Sequence, residues 1–158
     1  MDWLVFLIFL GACGGAAATG ALFPPGKWYE DLQKPSWTPP NWLFPIAWTA
    51  LYLIIAYAAM RVSLLEGAAL AMAFWAFQIS LNGLWSPVFF GLQKMKSALI
   101  VIGFLWVAVL GTLLTFIQID MVAGLLVVPY LIWVSYAAAL NFTIIRMNSG
   151  SGAAQPAS

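Results

Sequence analysis

Residues 28–52 read W-Y-E-D-L-Q-K-P-S-W-T-P-P-N-W-L-F-P-I-A-W-T-A-L-Y and separate two long apolar runs. The stretch holds four of the nine tryptophans and four of the nine prolines of the chain. Tryptophan and tyrosine collect where a membrane meets water, and proline stiffens a loop because its ring fixes the backbone. We therefore expect an ordered aromatic surface at a membrane edge, which makes this stretch the first place to look for a ligand.

The composition of the whole chain predicts its class. It is 64% hydrophobic and 7% charged, whereas ordinary soluble domains carry about 25% charged residues. Its apolar runs also reach the roughly 20 residues that a membrane-crossing helix needs. We therefore predict an all-α integral membrane protein with several crossings. Its expected partner is membrane lipid, and we expect no nucleic acid partner.

The apolar runs predict one domain, residues 1–148, built as a bundle of five transmembrane helices with a long first loop. Short charged joints connect the runs. A flexible, disordered tail is predicted for residues 149–158. The five predicted spans are residues 3–23, 41–62, 68–92, 97–119 and 121–146.

The basic residues predict the orientation of the bundle. With five crossings, only Arg61 lies on the N-terminal side of the membrane. In an inner membrane the positive-inside bias would place the N-terminus outside, but the choice between inner and outer membrane stays open. The basic residues on the C-terminal side are Lys27, Lys34, Lys94, Lys96 and Arg146.

The first span has an alternative interpretation as a cleaved signal peptide, because residues 10–13 (L-G-A-C) resemble a lipoprotein cleavage box. A signal peptide needs an early Lys or Arg, whereas the only early charge is Asp2. We therefore favour a retained helix. Cys13 is the only cysteine of the chain, which excludes a disulfide within it.

Charged side chains are missing from the middle of every predicted span, and the chain has no histidine. Proton relays and ion-coupled transporters bury such charges, and metal sites need histidine, cysteine or carboxylate ligands. A nucleophile with an adjacent base cannot be assembled either. We predict no catalytic residue, no metal site and no obligatory cofactor.

Polar and aromatic residues share helix faces in three of the predicted spans, because residues three, four and seven apart lie on one side of a helix. Two interpretations stay open: hydrogen bonds that join helices, or a pocket whose aromatic walls stack a flat ligand. The residues are Trp75, Gln78, Asn82, Trp85, Ser86 and Phe89 on the third span, Trp48 and Tyr52 on the second, and Tyr130, Trp133, Ala137 and Leu140 on the fifth, with Asn141 beside them.

Three strings of the chain, in order, resemble the signature of the translocator protein family. Besides residues 28–52, they are L-N-G-L-W-S-P-V-F-F (81–90) and V-P-Y-L-I-W-V-S-Y-A-A-A-L-N (128–141). Bacterial members of this family are called tryptophan-rich sensory proteins, and animal members peripheral benzodiazepine receptors. The chain is identified as a bacterial member by this resemblance, which covers all of it but the tail.

The resemblance implies five transmembrane helices, a homodimer, and a pocket beneath the first loop. The implied ligands are porphyrins such as protoporphyrin IX and haem, isoquinoline carboxamides and benzodiazepines, with sterols at a separate surface. The pocket motif carries over to Trp48, Asn82 and Trp133, with Tyr29 and Trp37 from the lid.

The helix faces and the resemblance together give a predicted ligand site. In it, Trp48 and Trp133 would stack a porphyrin, and Asn82 would provide a hydrogen bond. Lys27 and Lys34 would meet its propionates. Without histidine, haem would lack its usual axial ligand, so metal-free porphyrin is the easier guest. The pocket residues are Trp48, Tyr52, Gln78, Asn82, Trp85, Phe89, Tyr130, Trp133 and Ala137, and the lid residues are Lys27, Trp28, Tyr29, Lys34 and Trp37.

Residues 28–40 form the predicted lid, together with Lys27. Trp28 and Leu32 are four residues apart, which predicts a short helical turn that ends before Pro35. Thr38 is the predicted N-cap of the second span, with Pro39 at its first position. Interfacial anchoring is the alternative role for the aromatic residues of this loop.

Sterol contact rests on two stretches. Residues 53–61 fit the cholesterol consensus through Leu53, Tyr57 and Arg61. The family's sterol motif instead corresponds to the end of the fifth span, with phenylalanine where the consensus has tyrosine, which weakens the expectation of tight binding. The residues there are Leu140, Phe142 and Arg146.

Dimerisation has one sequence signal in the first span. Gly11 and Gly15 form a small-x-x-x-small pair, which lets another helix approach closely. That helix could belong to a second copy or to the same bundle, and both interpretations stay open.

Three functions remain open at this point. The first is a membrane receptor or sensor that binds porphyrins and regulates tetrapyrrole-related responses. Sterols are a further candidate ligand of this receptor. The second is a transporter of porphyrin or sterol. The third is an enzyme that degrades porphyrin in light, in which Trp48 or Trp133 would react by electron transfer, because the chain offers no acid–base or metal catalytic set.

Overall fold

The structure, a computed structural model, describes residues 2–149, and helices are the only regular elements among those residues. Of the predicted disordered tail, all but Ser149 lies outside the described residues. The helices are α1 (Trp3–Leu22), α2 (Lys27–Asp31), α3 (Leu43–Ser63), α4 (Ala69–Ser86), α5 (Met95–Ile119) and α6 (Met121–Asn148), and a π-helical turn (Pro87–Gly91) continues α4.

Four of these helices, α1, α3, α5 and α6, are long and apolar enough to cross a membrane. The described residues therefore show four candidate crossings where the sequence predicted five. The remaining long helix, α4, has 18 residues, and Gln78 and Asn82 lower its apolar character. The class is confirmed at the coarser level: an all-α, multi-pass membrane protein.

The long helices pack side by side in the ring order α1, α3, α6, α5, α4 and back to α1. The main core fills the centre of this ring, with Ile55 of α3, Val109 of α5 and Val134 of α6 fully buried. Helix α1 lies at the edge and buries only Cys13 and Ala16. The ring therefore surrounds a centre to which every long helix can contribute side chains.

Helix α3 begins at Leu43, so the prediction of Thr38 as its N-cap is wrong. The Thr38 backbone N–H and its hydroxyl both donate to the Pro35 carbonyl, at 3.0 and 2.8 Å. Residues 35–38 therefore form a turn of their own. The residue before a proline disfavours the helical conformation. Thr38 and Pro39 each precede a proline, and this delays the start of α3.

The third predicted span ended as one continuous α-helix at residue 92, whereas α4 changes at Pro87 into a π-helical turn. Proline cannot donate the helical hydrogen bond and crowds the preceding turn, and the Leu92 N–H instead donates to the Pro87 carbonyl at 2.8 Å. The wider turn brings the consecutive Phe89 and Phe90 rings to 6.1 and 5.3 Å from the ring of Tyr29. Two consecutive residues of the turn therefore contact the same aromatic ring.

The end of the bundle opposite the lid is closed by a tight joint at Asp120. Its Oδ1 accepts from the N–H groups of Val122 and Ala123 at 2.9 and 3.1 Å, which caps α6. Its Oδ2 accepts from Arg61 Nε at 2.8 Å and lies 2.7 Å from a terminal guanidinium nitrogen. Burial alone would raise the pKa of Asp120, but these hydrogen bonds and the guanidinium charge hold the pKa below its usual value.

Candidate functional site

A buried chain of hydrogen bonds joins α3, α4 and α6. Tyr52 donates to Asn82 Oδ1 at 2.7 Å, Asn82 Nδ2 donates to the Tyr130 hydroxyl at 2.8 Å, and Tyr130 donates to Gln78 Oε1 at 2.8 Å. All four side chains are buried. Both amide oxygens are therefore paired within the protein, as the helix-joining interpretation predicted, at about 0.6–2 kcal/mol for each bond.

Trp48 lies against these hydrogen-bonded side chains and forms the centre of an aromatic wall. Its ring stacks on Tyr52 with centroids 5.4 Å apart. It meets Tyr130 edge-on at 6.1 Å and Trp133 edge-on at 6.3 Å. We call Trp48, Tyr52, Asn82, Tyr130 and Trp133 the central set. Face analysis of the sequence had selected all five, and the structure brings them together.

A second aromatic group lies beneath α2. The rings of Trp85 and Phe89 stack at 4.9 Å, and Trp28 and Tyr29 contact Phe89 from the lid at 5.7 and 6.1 Å. With Phe90 these residues form the lid cluster. Tyr29 is buried, and this burial is the main cause that raises the pKa of its phenol. The nearby Tyr136 raises the pKa further.

The predicted pocket residues are thus divided between two groups, which one further residue connects. Phe44 packs against the lid cluster and lies 6.0 Å from the Trp133 ring. Ala137 is half-buried and packs against the main core. Phe44 is not among the predicted residues, although it lies four residues before Trp48 on the same helix face, which was a signal for it.

Two buried hydrogen-bond donors have no partner within the described residues. They are the indole nitrogens of Trp85 and Trp133, one in each aromatic group. An unsatisfied buried donor costs about 1–3 kcal/mol, and such groups call for an explanation because buried polar groups are normally paired. A ligand atom that accepts hydrogen bonds would satisfy them.

The lid is fastened to α6 by neutral hydrogen bonds. The Gln33 N–H donates to Asn148 Oδ1 at 3.0 Å, and Asn148 Nδ2 donates back to the Gln33 carbonyl at 2.9 Å. Earlier on α6, the Tyr136 hydroxyl donates to the Trp37 carbonyl at 2.6 Å, and the two rings lie 5.5 Å apart. Neither Asn148 nor Tyr136 is among the residues predicted to contact the lid.

The two lid lysines have different surroundings. Lys34 Nζ donates to the carbonyls of Tyr29, Glu30 and Leu32, at the end of α2, and lies 4.6 Å from the centre of the Tyr29 ring. Its ammonium group therefore stabilises the lid itself. Lys27 is exposed at the first position of α2.

A cleft of about 570 Å³ lies between the lid and α6. Of the predicted site residues, only Trp37 and Trp133 line it. Its volume falls within the range of about 300–1,000 Å³ that is typical of small-molecule sites. The lining residues are Ser36, Trp37, Thr38, Pro39, Pro40, Leu43, Pro129, Ile132, Trp133 and Tyr136.

The residues predicted for sterol contact do not share one surface. Leu140 is buried within the core beneath the lid, whereas Phe142 is exposed. The Arg146 guanidinium lies 5.9 Å from the Phe142 ring, and Arg61 has the same separation from Tyr57. Neighbouring Asn141 is occupied elsewhere: with its amide oriented to suit its neighbours, it donates to the Met95 carbonyl of α5.

The arrangement as a whole suits binding of an apolar, flat molecule. Stacked and perpendicular rings provide its walls, and paired amides fix the helices that carry them. Within residues 2–149, no three His, Cys, Asp or Glu side chains are grouped so that they could hold a metal ion.

Comparison with known proteins identifies the family. The TspO/MBR family model matches residues 4–147. A tryptophan-rich sensory protein of Cereibacter sphaeroides is 53% identical over 148 residues, which is 94% of each chain. Protein CrtK of Rhodobacter capsulatus is 49% identical over 95% of this chain and 96% of its own. The translocator protein of Homo sapiens is 33% identical over 78% of this chain and 76% of its own. The resemblance drawn from three sequence strings is confirmed, and the chain belongs to the TspO/MBR family.

Proposed function

We propose that this protein is a membrane receptor or sensor that binds porphyrins, protoporphyrin IX foremost, and regulates tetrapyrrole-related responses. The observation that carries the proposal is the central set, in which Trp48 and Trp133 meet over a hydrogen-bonded frame while the Trp133 indole N–H lacks a partner. Aromatic walls with few, well-placed polar groups are typical of sites for flat apolar ligands.

In this proposal α4 is the fifth membrane crossing, and residues 1–148 form one domain. Leu70, Phe77 and Leu84 are exposed at intervals of seven residues, so they form one outward stripe on α4. Gln78 and Asn82 are buried on the opposite side. A helix with an apolar outer face and amides turned inward is suited to lipid, because its polar groups are satisfied inside the bundle.

The binding step follows from the contacts of the central set. Trp48 and Trp133 lie at 87° to one another and in contact, so a macrocycle that reaches Trp48 would first displace the Trp133 ring and then be held between the two indoles. The donors left for it are the Trp133 indole N–H and the second amide hydrogen of Asn82, since the first is donated to Tyr130. Oxygen acceptors at the edge of the macrocycle would pair with these donors, since the ring nitrogens of a porphyrin point to its centre.

The charged propionates of the porphyrin would meet Lys27, which is exposed on the lid. Lys34, the other predicted cation, supports the lid through three carbonyl groups, so its role in this proposal is to position the loop. Haem is the weaker guest because no histidine is available as the usual axial ligand.

A titration of protoporphyrin IX tests the proposal. Trp48→Ala and Trp133→Ala should each weaken binding by about tenfold, since each removes a stacking wall and an aromatic pair is worth about 0.5–1.5 kcal/mol beyond the area that it buries. Quenching of tryptophan fluorescence by the porphyrin measures the change.

The matched control for that titration is Trp42→Ala, which removes an exposed tryptophan of the same loop region. Its affinity should stay at the level of the unmodified protein. Equal affinities in all three variants would contradict porphyrin binding at the central set.

Light-dependent degradation of porphyrin is the second candidate function, because a ligand on Trp48 would touch a run of contacting rings. Trp48 contacts Trp133, which stacks on Tyr136 at 5.8 Å, so an indole that gives an electron to the light-excited porphyrin could take one in turn from the neighbouring ring. Illumination of the purified protein with protoporphyrin IX separates this function from sensing: product that depends on Trp48 or Trp133 favours the enzyme. Transport, the third candidate, would require flux across proteoliposomes.

We also propose a homodimer formed through α1. No atom comes within 4 Å of a Cβ built on Gly11 or Gly15, whereas Gly83 of α4 is in ordinary contact with Ala16. The glycine pair therefore does not pack within the bundle, and a second copy could use it. Because Cys13 is fully buried, cross-linking should use Gly11→Cys, and failure to cross-link in membranes would count against this interface.

The proposal also includes sterol contact at the end of α6. Phe142 and Arg146 lie on the outer surface of α6, but Leu140 is buried and cannot share that surface with them. A titration with cholesterol in the presence of bound porphyrin would decide it: competition would contradict a separate sterol surface.

A further inference from the structure

The lid region has two boundaries, and they differ in how tightly they are closed. At the rim, Asn148 holds Gln33 by a reciprocal pair of hydrogen bonds, and Lys34 holds the end of α2. Beneath α2, the buried Tyr29 covers Phe89. A ligand that came over the rim from water would have to break these contacts first.

The second boundary is the seam between the lid and α6, where the cleft of about 570 Å³ lies open. No charged residue lines it. Ile132 on its α6 side is 65% exposed, and Ile46 at the start of α3 is 58% exposed. Both are apolar side chains that suit a surface against hydrocarbon and not against water.

The depth of the cleft points to the same surroundings. Trp133 follows Asp120, at the far end of the bundle, by 13 residues of helix, which is about 20 Å at 1.5 Å per residue. A hydrocarbon layer of about 30 Å would therefore reach past Trp133.

The backbone of the lid is suited to that depth. Non-helical backbone needs partners for its N–H groups in a membrane, and Pro35, Pro39 and Pro40 have none to satisfy. Thr38 donates its N–H to the Pro35 carbonyl. At Thr38, Pro39 and Pro40 the lid therefore leaves no free backbone N–H along the cleft.

Trp133 connects the cleft to the central set, because it lines the first and contacts Trp48 in the second. We propose that the ligand enters from within the bilayer, through the cleft between the lid and α6, and reaches Trp48 by displacing Trp133. The entering molecule is a flat, lipid-soluble ring system that presents no charge to the seam. This inference rests on the proposed porphyrin binding and adds the route to it.

Stopped-flow quenching of tryptophan fluorescence in proteoliposomes tests the route, with protoporphyrin IX dimethyl ester as the uncharged probe. Ile132→Trp narrows the cleft from its lipid-facing side. A narrower passage raises the barrier in both directions, so association and dissociation should both slow by about fivefold while the equilibrium affinity stays within about twofold.

The matched control is Leu125→Trp, which adds the same bulk to an exposed position seven residues earlier on the same face of α6, outside the cleft. Its rates should equal those of the unmodified protein. If Ile132→Trp leaves the rates unchanged while Asn148→Ala accelerates association, the ligand crosses the rim and the inference is overturned. If the unmodified protein does not bind the porphyrin at equilibrium, the proposed function itself is overturned.

Discussion

The two ends of the helix bundle are closed by different kinds of contact. At the Asp120 end, one carboxylate caps α6 and pairs with Arg61, and the connection from α5 to α6 is a single residue. At the lid end, a long loop is held by aromatic packing and by neutral hydrogen bonds from Asn148 and Tyr136. The difference indicates that the Asp120 end is held rigidly, whereas the lid end is held by weaker contacts.

The largest expected effect belongs to the fixed end. A Cβ at Gly124 would lie 2.2 Å from Ile117 Cγ1 and 2.7 Å from the Ile117 backbone nitrogen. Gly124→Ala should therefore force α5 and α6 apart and lower the free energy of unfolding by about 2–3 kcal/mol. Unfolding by denaturing detergent in mixed micelles measures the loss.

Gly103→Ala is the control for that variant, because a Cβ at this position on α5 meets no atom within 4 Å. It should match or slightly exceed the stability of the unmodified protein, since alanine favours a helix over glycine by about 1 kcal/mol. Equal losses in both variants would contradict the idea of a tightly fixed end.

Asp120→Ala should have the next largest effect. It removes an N-cap, worth about 1 kcal/mol, and a partly exposed ion pair, worth about 0.2–1 kcal/mol. We expect the free energy of unfolding to fall by about 1.5 kcal/mol, as measured in the same detergent titration, with no direct effect on porphyrin affinity because Asp120 lies far from the central set.

The pH dependence of stability checks the charge of Asp120. Its folded pKa lies below its unfolded value of about 4. The stabilisation is therefore complete above about pH 4 and is lost as the pH falls through the folded pKa. Asp120→Asn should lose less stability on acidification than the unmodified protein; an identical acid transition in both would assign the stabilisation to other groups.

The smallest effect on stability should come from the lid end. Asn148→Ala removes two neutral hydrogen bonds to Gln33. A hydrogen bond within a protein contributes about 0.5–1.5 kcal/mol, and these two contribute less because they are exposed to solvent. We expect a change in the free energy of unfolding below about 0.5 kcal/mol, together with several-fold faster proteolysis of the lid. A loss as large as that of Asp120→Ala would mean that both ends are fixed alike.

Part of the site could be predicted because helices have a fixed period. Tyr52, Asn82 and Tyr130 were selected from their spacing within separate spans, and the structure joins them by hydrogen bonds. Buried amides in a membrane helix must find partners, so their convergence follows from the residue types. The same reasoning could not tell which partner each amide would take.

The lid contacts could not be predicted, because they join residues far apart in the chain. Gln33 and Asn148 are 115 residues apart, and Trp37 and Tyr136 are 99 apart. Neither pair belongs to a periodic pattern. Lys34 was assigned to a ligand from its charge, but the geometry of α2 brings it to that helix's own carbonyls.

The sequence by itself determined that this chain is an all-α membrane protein of the TspO/MBR family and which residues turn inward, because apolar content and helical period are local properties. Only the tertiary structure decided that Trp48 and Trp133 meet, that Pro87 starts a π-helical turn, and that a cleft lies open along α6. Those features depend on how distant helices and loops fill space together, which no local pattern of residues encodes.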